Sequence, residues 1–327
     1  MLKPILAAGL SLAAATAAAA QAQQAVPRQP APQCAVADTA TTAEEVRANG
    51  LVAQYIRPNR PGRHPALLIL GGSEGGTEGV RRLAAPFAAQ GYAVLALTYF
   101  GAEGVPQNLD QIPLEYFATG LAWLAARAEV DPARLGVYGI SKGGEAALLV
   151  ASRNPRVRAT VAGVPSNVTW QGIIRPAWDN RSSWSEGGRP LPHLAYDFSR
   201  GFTSIYALYE GALANLAQHR DAEIPVERIN GAVLLISGRA DRLWPSSAMS
   251  DAVVARLRAH DFRFPVQHLA FDDAGHAASS PPALGASSQG PDSFVGGTVE
   301  GNARARAESW RATLCFLRDA LATPARR

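Results

Sequence analysis

A serine between two glycines, directly after an apolar run, is the feature that most restricts how this chain can fold. Residues 135–138, Leu-Gly-Val-Tyr, predict a buried strand, and Gly-Ile-Ser-Lys-Gly follows at 139–143. The next residues, 145–151, are mostly good helix formers with an apolar face. A sharp turn from strand to helix leaves room only for small neighbours, which the two glycines provide. The pattern therefore predicts that Ser141 sits on a strained turn at the edge of a sheet, with its hydroxyl exposed.

The rest of the chain alternates between strand and helix patterns. Strands are predicted at 51–56 and near Ala66, Tyr92, Leu135, Ala159, Ala232 and Phe264. Such alternation predicts a mostly parallel sheet covered by helices on both faces. The pattern breaks at 165–229, which we expect to form a lid insertion over Ser141. A second irregular stretch, 279–297, is expected to form a wall of the entrance.

A nucleophilic serine on this kind of turn needs a histidine as base and a carboxylate to orient it, in the order Ser, Asp or Glu, His. Asp241 and His276 each follow a predicted strand, where the catalytic groups of open α/β sheets lie. The remaining histidines lie within strand or helix patterns or have no strand-end setting. The alternative carboxylates are Asp251, Asp272 and Asp273. Only Asp241 follows the strand immediately before the one that leads to His276.

Acyl transfer to a serine also needs backbone N–H groups that hold a negatively charged oxygen. Lys142, directly after the serine, supplies one. The second is expected from the glycine-rich loop 71–76, Gly-Gly-Ser-Glu-Gly-Gly, with Ser73 as the first choice and Gly72 as the second. This loop lacks the Gly-Lys-Ser or Gly-Lys-Thr ending of a nucleotide-binding loop, so we do not interpret it as a phosphate site.

Several residues near these motifs have two interpretations. Trp170, Trp178 and Trp184 lie in the expected lid, where they either line a substrate-binding pocket or pack the lid onto the domain. Glu145 lies one helical turn beyond Ser141, where it either acts near the site or is a structural carboxylate paired with an arginine.

The cysteines and the charge indicate which bonds, cofactors and partners to expect. Cys34 and Cys315 are the two cysteines, and in an oxidising compartment they could form a disulfide between the N-terminal arm and the last helix; the alternative is two free thiols. Neither has the spacing of a metal site, and we expect no metal and no organic cofactor. The net charge of +4 is modest and arginines are scattered, so there is no nucleic-acid signature.

The N-terminus has the pattern of an export signal. Lys3 precedes an apolar stretch at 5–20 with small residues around 18–22, which predicts a secretory signal peptide at 1–22. The alternative is a membrane anchor, but an alanine-rich stretch of ~16 residues is short for a span. We therefore expect a periplasmic or secreted protein without a stable membrane span, with an extended arm at 23–50 and one domain at 51–327.

Four stretches of the chain carry a family resemblance. They are 71–76, 91–101, 114–117 (Leu-Glu-Tyr-Phe) and 139–145 (Gly-Ile-Ser-Lys-Gly-Gly-Glu). Together they resemble the catalytic domain of acyl-CoA thioester hydrolases and bile acid-CoA:amino acid N-acyltransferases, a branch of the α/β-hydrolases near dienelactone hydrolase. The resemblance runs from about Ala66 to the last helix. It implies an α/β-hydrolase fold and hydrolysis of a small acyl ester or thioester through an acyl-enzyme.

The same resemblance bears on the substrate. In this family the nucleophile is serine in thioesterases and often cysteine in the amino-acid transferases, so Ser141 favours hydrolysis. Animal members carry a β-sandwich domain ahead of the hydrolase, and the segment before Ala66 is too short for one. Export would also separate the enzyme from cytosolic CoA. Transfer to an amine acceptor and a non-catalytic binding role are the alternatives, and acyl chain, leaving group and oligomeric state stay open.

Overall fold

The computed structural model describes residues 34, 38–174, 177, 179–199, 201–284 and 294–322. The strands are β1 Thr41–Val46, β2 Val52–Pro58, β3 His64–Leu70, β4 Ala93–Thr98, β5 Ile112–Pro113, β6 Val130–Ile140, β7 Val157–Gly163, β8 Trp184–Glu186, β9 Arg189–Pro190, β10 Ala232–Gly238 and β11 Val266–Phe271. The helices are α1 Glu78–Ala89, α2 Leu114–Ala125, α3 Lys142–Ala151, α4 Ile205–Ala214, α5 Ser246–Ala259 and α6 Val299–Ala320. Short 3-10 turns span 216–218, 220–222, 226–228 and 282–284.

Eight strands form the central sheet in the order β1-β2-β4-β3-β6-β7-β10-β11. From β4 to β11 every neighbouring pair is parallel, whereas β2 is antiparallel to both β1 and β4. The predicted α/β-hydrolase architecture, a mostly parallel sheet with helices on both faces, is confirmed. Parallel strands end at one edge of a sheet, and the loops after β3, β6, β10 and β11 therefore meet there.

Alternating side chains of the central strands build two separate cores. In β3, Leu68 and Leu70 join the core under α2, α3 and α5, whereas Leu67 and Ile69 join the core under α1 and α6. Strands β4 and β10 divide their side chains in the same way. Full burial of one such side chain contributes roughly 1.5–3 kcal/mol. These central strands are apolar on both faces because each face is covered by helices.

The sheet begins earlier in the chain than the expected residue 51. Strand β1 pairs along its whole length with β2 and forms one edge of the sheet, although most of its side chains are exposed. A disulfide joins Cys34 to Cys315 of α6, with the two Cα atoms 4.9 Å apart. The cysteines thus connect the segment before β1 to the last helix, as the first of the two sequence interpretations has it.

The segment between β7 and β10 has an apolar cluster of its own. The rings of Trp170, Tyr196 and Tyr209 contact one another, and Tyr209 packs on Trp244 beyond β10. Strand β8 pairs with β5 in a separate three-stranded sheet. The insertion is therefore fastened to the domain through aromatic packing and a few strand bonds.

The expected signal peptide, 1–22, and most of the expected arm lie outside the described residues. Among the helices of the described part of the chain, none combines the length and the apolar character that crossing a membrane requires.

Candidate active site

Ser141 occupies the predicted turn between β6 and α3. Its backbone has φ 58° and ψ −122°, a left-handed conformation that is strained for a residue with a side chain. A methyl group at Gly139 would lie 1.9 Å from the Gly143 carbonyl oxygen, and one at Gly143 would lie 2.3 Å from the Gly71 carbonyl oxygen. Both glycines are required by sterics, because no side chain fits between the turn and the neighbouring backbone.

The three residues predicted from strand ends lie in one hydrogen-bonded chain. Ser141 Oγ is 2.9 Å from His276 Nε2, and His276 Nδ1 is 2.9 Å from Asp241 Oδ2. The histidine can therefore take the serine proton through one ring nitrogen while the carboxylate holds the other.

The carboxylate of Asp241 is buried and held by three further donors. Its Oδ1 accepts from the backbone N–H groups of Leu243 (2.9 Å) and Trp244 (3.3 Å), and its Oδ2 accepts from Ser246 Oγ (2.6 Å). Several donors to one carboxylate fix its orientation. Sequence reasoning did not identify Ser246, a serine at the start of the helix that follows Asp241.

A backbone hydrogen bond and a ring contact position His276. Its N–H donates to the Val295 carbonyl at 2.7 Å, and its ring meets that of Trp244 edge to face, with centroids 5.8 Å apart. The alternative carboxylates lie elsewhere and have other partners: Asp272 pairs with Arg239, Asp273 with Arg304, and Asp251 with His268.

A second Ser, His and Asp set lies within β10, β11 and α5 instead of in the loops that follow the strands. Ser237 Oγ is 2.8 Å from His268 Nε2, and His268 Nδ1 is 3.1 Å from Asp251 Oδ1. Ser237 is completely buried within β10. Burial lowers the pKa of His268, against the attraction of Asp251, which raises it.

The helix after Ser141 begins with a buried ion pair. Lys142 Nζ donates to Glu145 Oε2 at 2.6 Å, and the side chains are 1% and 0% exposed. Glu145 Oε1 accepts from Trp170 N at 3.0 Å and from Trp184 Nε1 at 2.6 Å. Burial raises the pKa of Glu145 and lowers that of Lys142, while their pairing opposes both shifts. The structural interpretation of Glu145 is correct, but its partner is Lys142 instead of an arginine.

Of the two interpretations of the lid tryptophans, the positions of Trp170 and Trp184 favour packing inside the protein. Both are completely buried and neither borders the cleft beside Ser141. Their N–H groups are needed to satisfy Glu145, which draws them into the interior. Trp178 lies outside the described residues.

The glycine-rich loop after β3 borders the serine as predicted, but the two N–H choices differ. The Gly72 N–H donates to Glu74 Oε1 at 3.0 Å, so it is not free for a substrate oxygen in this arrangement. Ser73 lines the same cleft as Ser141. Lys142 begins α3, and the first N–H groups of a helix have no partner within the helix.

A cleft of about 1270 Å³ opens beside Ser141 and His276. One wall comes from α1 and another from 280–284 with Phe294, as expected for the stretch after His276. That wall is tied down by Arg306, which donates to the Pro281 carbonyl at 3.1 Å, and by Tyr138, which donates to the Ser279 carbonyl at 2.6 Å. Of the described residues of 165–229, none borders this cleft. The expectation that the insertion forms a lid over Ser141 stays a prediction.

Within the described residues, no three His, Cys, Asp or Glu side chains are grouped so that they could hold a metal.

A family model described as BAAT / Acyl-CoA thioester hydrolase C terminal matches residues 112–323. Acyl-coenzyme A thioesterase 1 of Homo sapiens is 29% identical over 284 residues, which are 84% of this chain and 64% of the human protein. Mitochondrial acyl-coenzyme A thioesterase 2 of Mus musculus is 28% identical over 84% of this chain and 60% of its own. This chain thus spans about three fifths of the length of these relatives.

Solved structures support the fold alone. A protein of Klebsiella pneumoniae described as a dienelactone hydrolase superposes with a TM-score of 0.57 at 18% identity, covering 85% of this chain and 99% of its own. An α/β hydrolase enzyme from a deep-sea metagenome library gives a TM-score of 0.51 at 15% identity, covering 88% of this chain and 100% of its own.

Proposed function

Because this chain belongs to the BAAT / acyl-CoA thioester hydrolase C-terminal family, we propose that it is a serine acyl hydrolase that cleaves an ester or a thioester through Ser141, His276 and Asp241. The observation that carries the proposal is the hydrogen-bonded chain of these three side chains on a strained turn that opens on a cleft. Relatives named as acyl-coenzyme A thioesterases support the reaction class.

The mechanism follows from the positions of these groups. His276 Nε2 takes the Ser141 proton as Oγ attacks the acyl carbonyl, and Asp241 stabilises the imidazolium that forms. The N–H groups of Lys142 and Ser73 hold the oxyanion of the tetrahedral intermediate. His276 then gives its proton to the leaving group, and in the second half it activates a water that releases the acid.

The lining of the cleft favours an apolar acyl group. Leu83, Pro86, Leu284, Phe294 and Trp310 are among its walls, and Phe294 is 62% exposed. Exposed apolar surface beside a nucleophile is expected to be covered by an apolar part of the substrate.

We also propose that the enzyme works outside the cytoplasm. The signal pattern at 1–22 and the Cys34–Cys315 bridge support this, because such bridges persist in oxidising compartments. Expressed with its own leader in a Gram-negative host, the protein should be recovered from the periplasm with an N-terminus near Gln21 or Gln23. Recovery of an unprocessed cytosolic chain would contradict the proposal.

The decisive assay compares p-nitrophenyl esters of increasing chain length with CoA thioesters of the same acyl groups. We expect ester hydrolysis with kcat/KM at least comparable to that of the thioester, and loss of both activities in Ser141→Ala. A preference of ~100-fold for the CoA thioester would reveal a CoA site and make the enzyme a dedicated thioesterase. Product that forms only with added glycine or taurine would indicate an acyltransferase, and no turnover of any substrate would contradict the proposal.

A further inference from the structure

Three glycines leave room for the carboxylate of Glu74 in the loop after β3. A methyl group at Gly71 would lie 2.8 Å from Glu74 Oε1, and one at Gly72 would lie 2.7 Å from Oε2. At Gly79, in α1, it would lie 3.3 Å from Oε1. All three distances are shorter than ordinary carbon–oxygen contact. The carboxylate therefore lies against the backbone of these glycines, in a space that side chains at the three positions would fill.

Hydrogen bonds hold both the carboxylate and the loop beneath it. Glu74 Oε1 accepts from the Gly72 N–H at 3.0 Å. The hydroxyl of Tyr99, which is buried, donates to the Gly71 carbonyl at 2.6 Å. An exposed glutamate ordinarily retains several rotamers. Here the hydrogen bond and the glycine surface select one position.

That position lies next to the nucleophile. The methyl group that would touch Glu74 Oε2 from Gly72 would also lie 3.3 Å from the Ser141 Cβ. A gap of one methyl group therefore separates the carboxylate from the serine side chain. Glu74 borders the same cleft as Ser141 and His276.

The described cleft lining carries little positive charge to offset this carboxylate. Its charged members besides the histidine are Asp38, Glu74 and Arg82. Arg82 is largely exposed, and its Nε lies 3.6 Å from the carboxylate of Glu78, one helical turn earlier. Most of the remaining lining is apolar. A substrate bound at Ser141 thus meets one negative charge beside its carbonyl and apolar walls farther out.

We propose that Glu74 determines the charge specificity of the site, so that it accepts esters that are uncharged or cationic near the carbonyl and rejects those with a carboxylate there. This inference rests on the proposed acyl hydrolase function and adds the substrate class. Glu74 takes no proton and forms no bond in the reaction. Its role is electrostatic.

Coulomb's law sets the size of the effect. For two like charges about 6 Å apart, an effective dielectric constant between 80 and 20 gives a penalty of roughly 3- to 100-fold in binding or rate. Glu74 is exposed, which places the expected value towards the lower part of that range, at about tenfold.

The test compares three phenyl esters of similar length: phenyl butyrate, which is neutral; phenyl hemisuccinate, which carries a carboxylate; and phenyl 4-(trimethylammonio)butyrate, which carries a cation. The variant is Glu74→Gln, because an amide oxygen can still accept from the Gly72 N–H while the charge is removed. The control is Glu44→Gln, which removes an equal charge from an exposed position on β1.

In the parent enzyme we expect the hemisuccinate to be the poorest substrate. Glu74→Gln should raise its kcat/KM relative to butyrate by about tenfold and lower that of the cationic ester relative to butyrate, whereas Glu44→Gln should change neither ratio. Unchanged ratios, or an equal change for all three esters, would overturn the inference while leaving the hydrolase proposal intact. No hydrolysis of any ester by the parent enzyme would overturn both.

Discussion

The described part of the chain contains two Ser, His and Asp sets with nearly the same hydrogen-bond distances and different access to the serine. The upper set is Ser141, His276 and Asp241, placed by loops at the carboxyl edge of the sheet. The lower set is formed by Ser237 and His268, which lie within β10 and β11, and by Asp251 of α5. In the upper set the serine borders a cleft, whereas in the lower set it is completely buried.

The difference teaches that hydrogen bonds alone do not make a nucleophile. Ser141 has a backbone φ of 58°, a helix N-terminus directly after it and a glycine-rich loop beside it. Ser237 has the regular backbone of a paired strand, where a substrate carbonyl has no access and the N–H groups belong to the sheet. Access and free N–H donors, more than the triad pattern, therefore distinguish the proposed catalytic set from a structural one.

The largest expected effect is the difference in activity between alanine variants of the two serines. Ser141→Ala should lower kcat/KM for an ester by ~10⁴-fold or more, because the nucleophile of a cooperating set is lost. Ser237→Ala should leave kcat/KM within about twofold of the parent. The assay is steady-state hydrolysis of one p-nitrophenyl ester, with fluorophosphonate labelling as a second readout. Near-parental activity of Ser141→Ala would show that Ser141 is not the nucleophile. Loss of labelling in folded Ser237→Ala would show that Ser237 takes part in the reaction.

The two aspartates should differ in the same direction. Asp241→Asn replaces an acceptor by an amide that can stabilise the wrong histidine tautomer, and we expect kcat to fall by up to about 10⁴-fold. Asp251→Asn should change kcat by less than about threefold, because its partner His268 does not reach the cleft. Equal losses in the two variants would show that the lower set takes part in turnover.

The sequence was sufficient for the upper set because each of its members follows a strand. Ser141, Asp241 and His276 could be placed from local patterns and from the rule that parallel strands end at one edge. The same patterns placed the core strands. The start of the sheet at β1 was missed, because most of that strand is polar and exposed and shows no core-facing alternation.

What the sequence could not indicate depends on contacts between distant segments. Trp170 and Trp184 could equally line a cleft or pack inside, and only their hydrogen bonds to Glu145 decide it. The position of the Glu74 carboxylate depends on glycines in the loop after β3 and in α1. The lower Ser, His and Asp set depends on the register between β10 and β11. Such pairings carry no signal in local hydrophobic periodicity.

Stability should show the reverse order of the activity effects. Ser237→Ala leaves Nε2 of His268, whose side chain is 11% exposed, without its partner, which should lower the free energy of unfolding by roughly 1–3 kcal/mol. Ser141→Ala should change it by less than about 1 kcal/mol, because Ser141 borders the cleft, where water can replace the lost bond. Urea titrations of the parent and both variants measure this. A larger loss in Ser141→Ala would contradict the structural role of the lower set.

The smallest expected effect is the pH dependence that the lower set contributes. Burial, aided by the nearby charge of Arg239 and opposed by Asp251, lowers the pKa of His268 below its ordinary value of 6.5. As the pH falls through 6.5, the unfolded chain therefore binds a proton that the folded chain does not, and folding is destabilised. In His268→Gln this contribution is absent, so the stability advantage of the parent should be largest at pH 7.5 and narrow towards pH 5. His193, whose pKa burial also lowers, is present in both proteins and cancels in the difference. Urea titrations at pH 5, 6 and 7.5 give that difference directly. Parallel pH curves for the two proteins would mean that His268 takes up its proton equally in both states, and a gap that widens towards pH 5 would mean that the attraction of Asp251 outweighs burial.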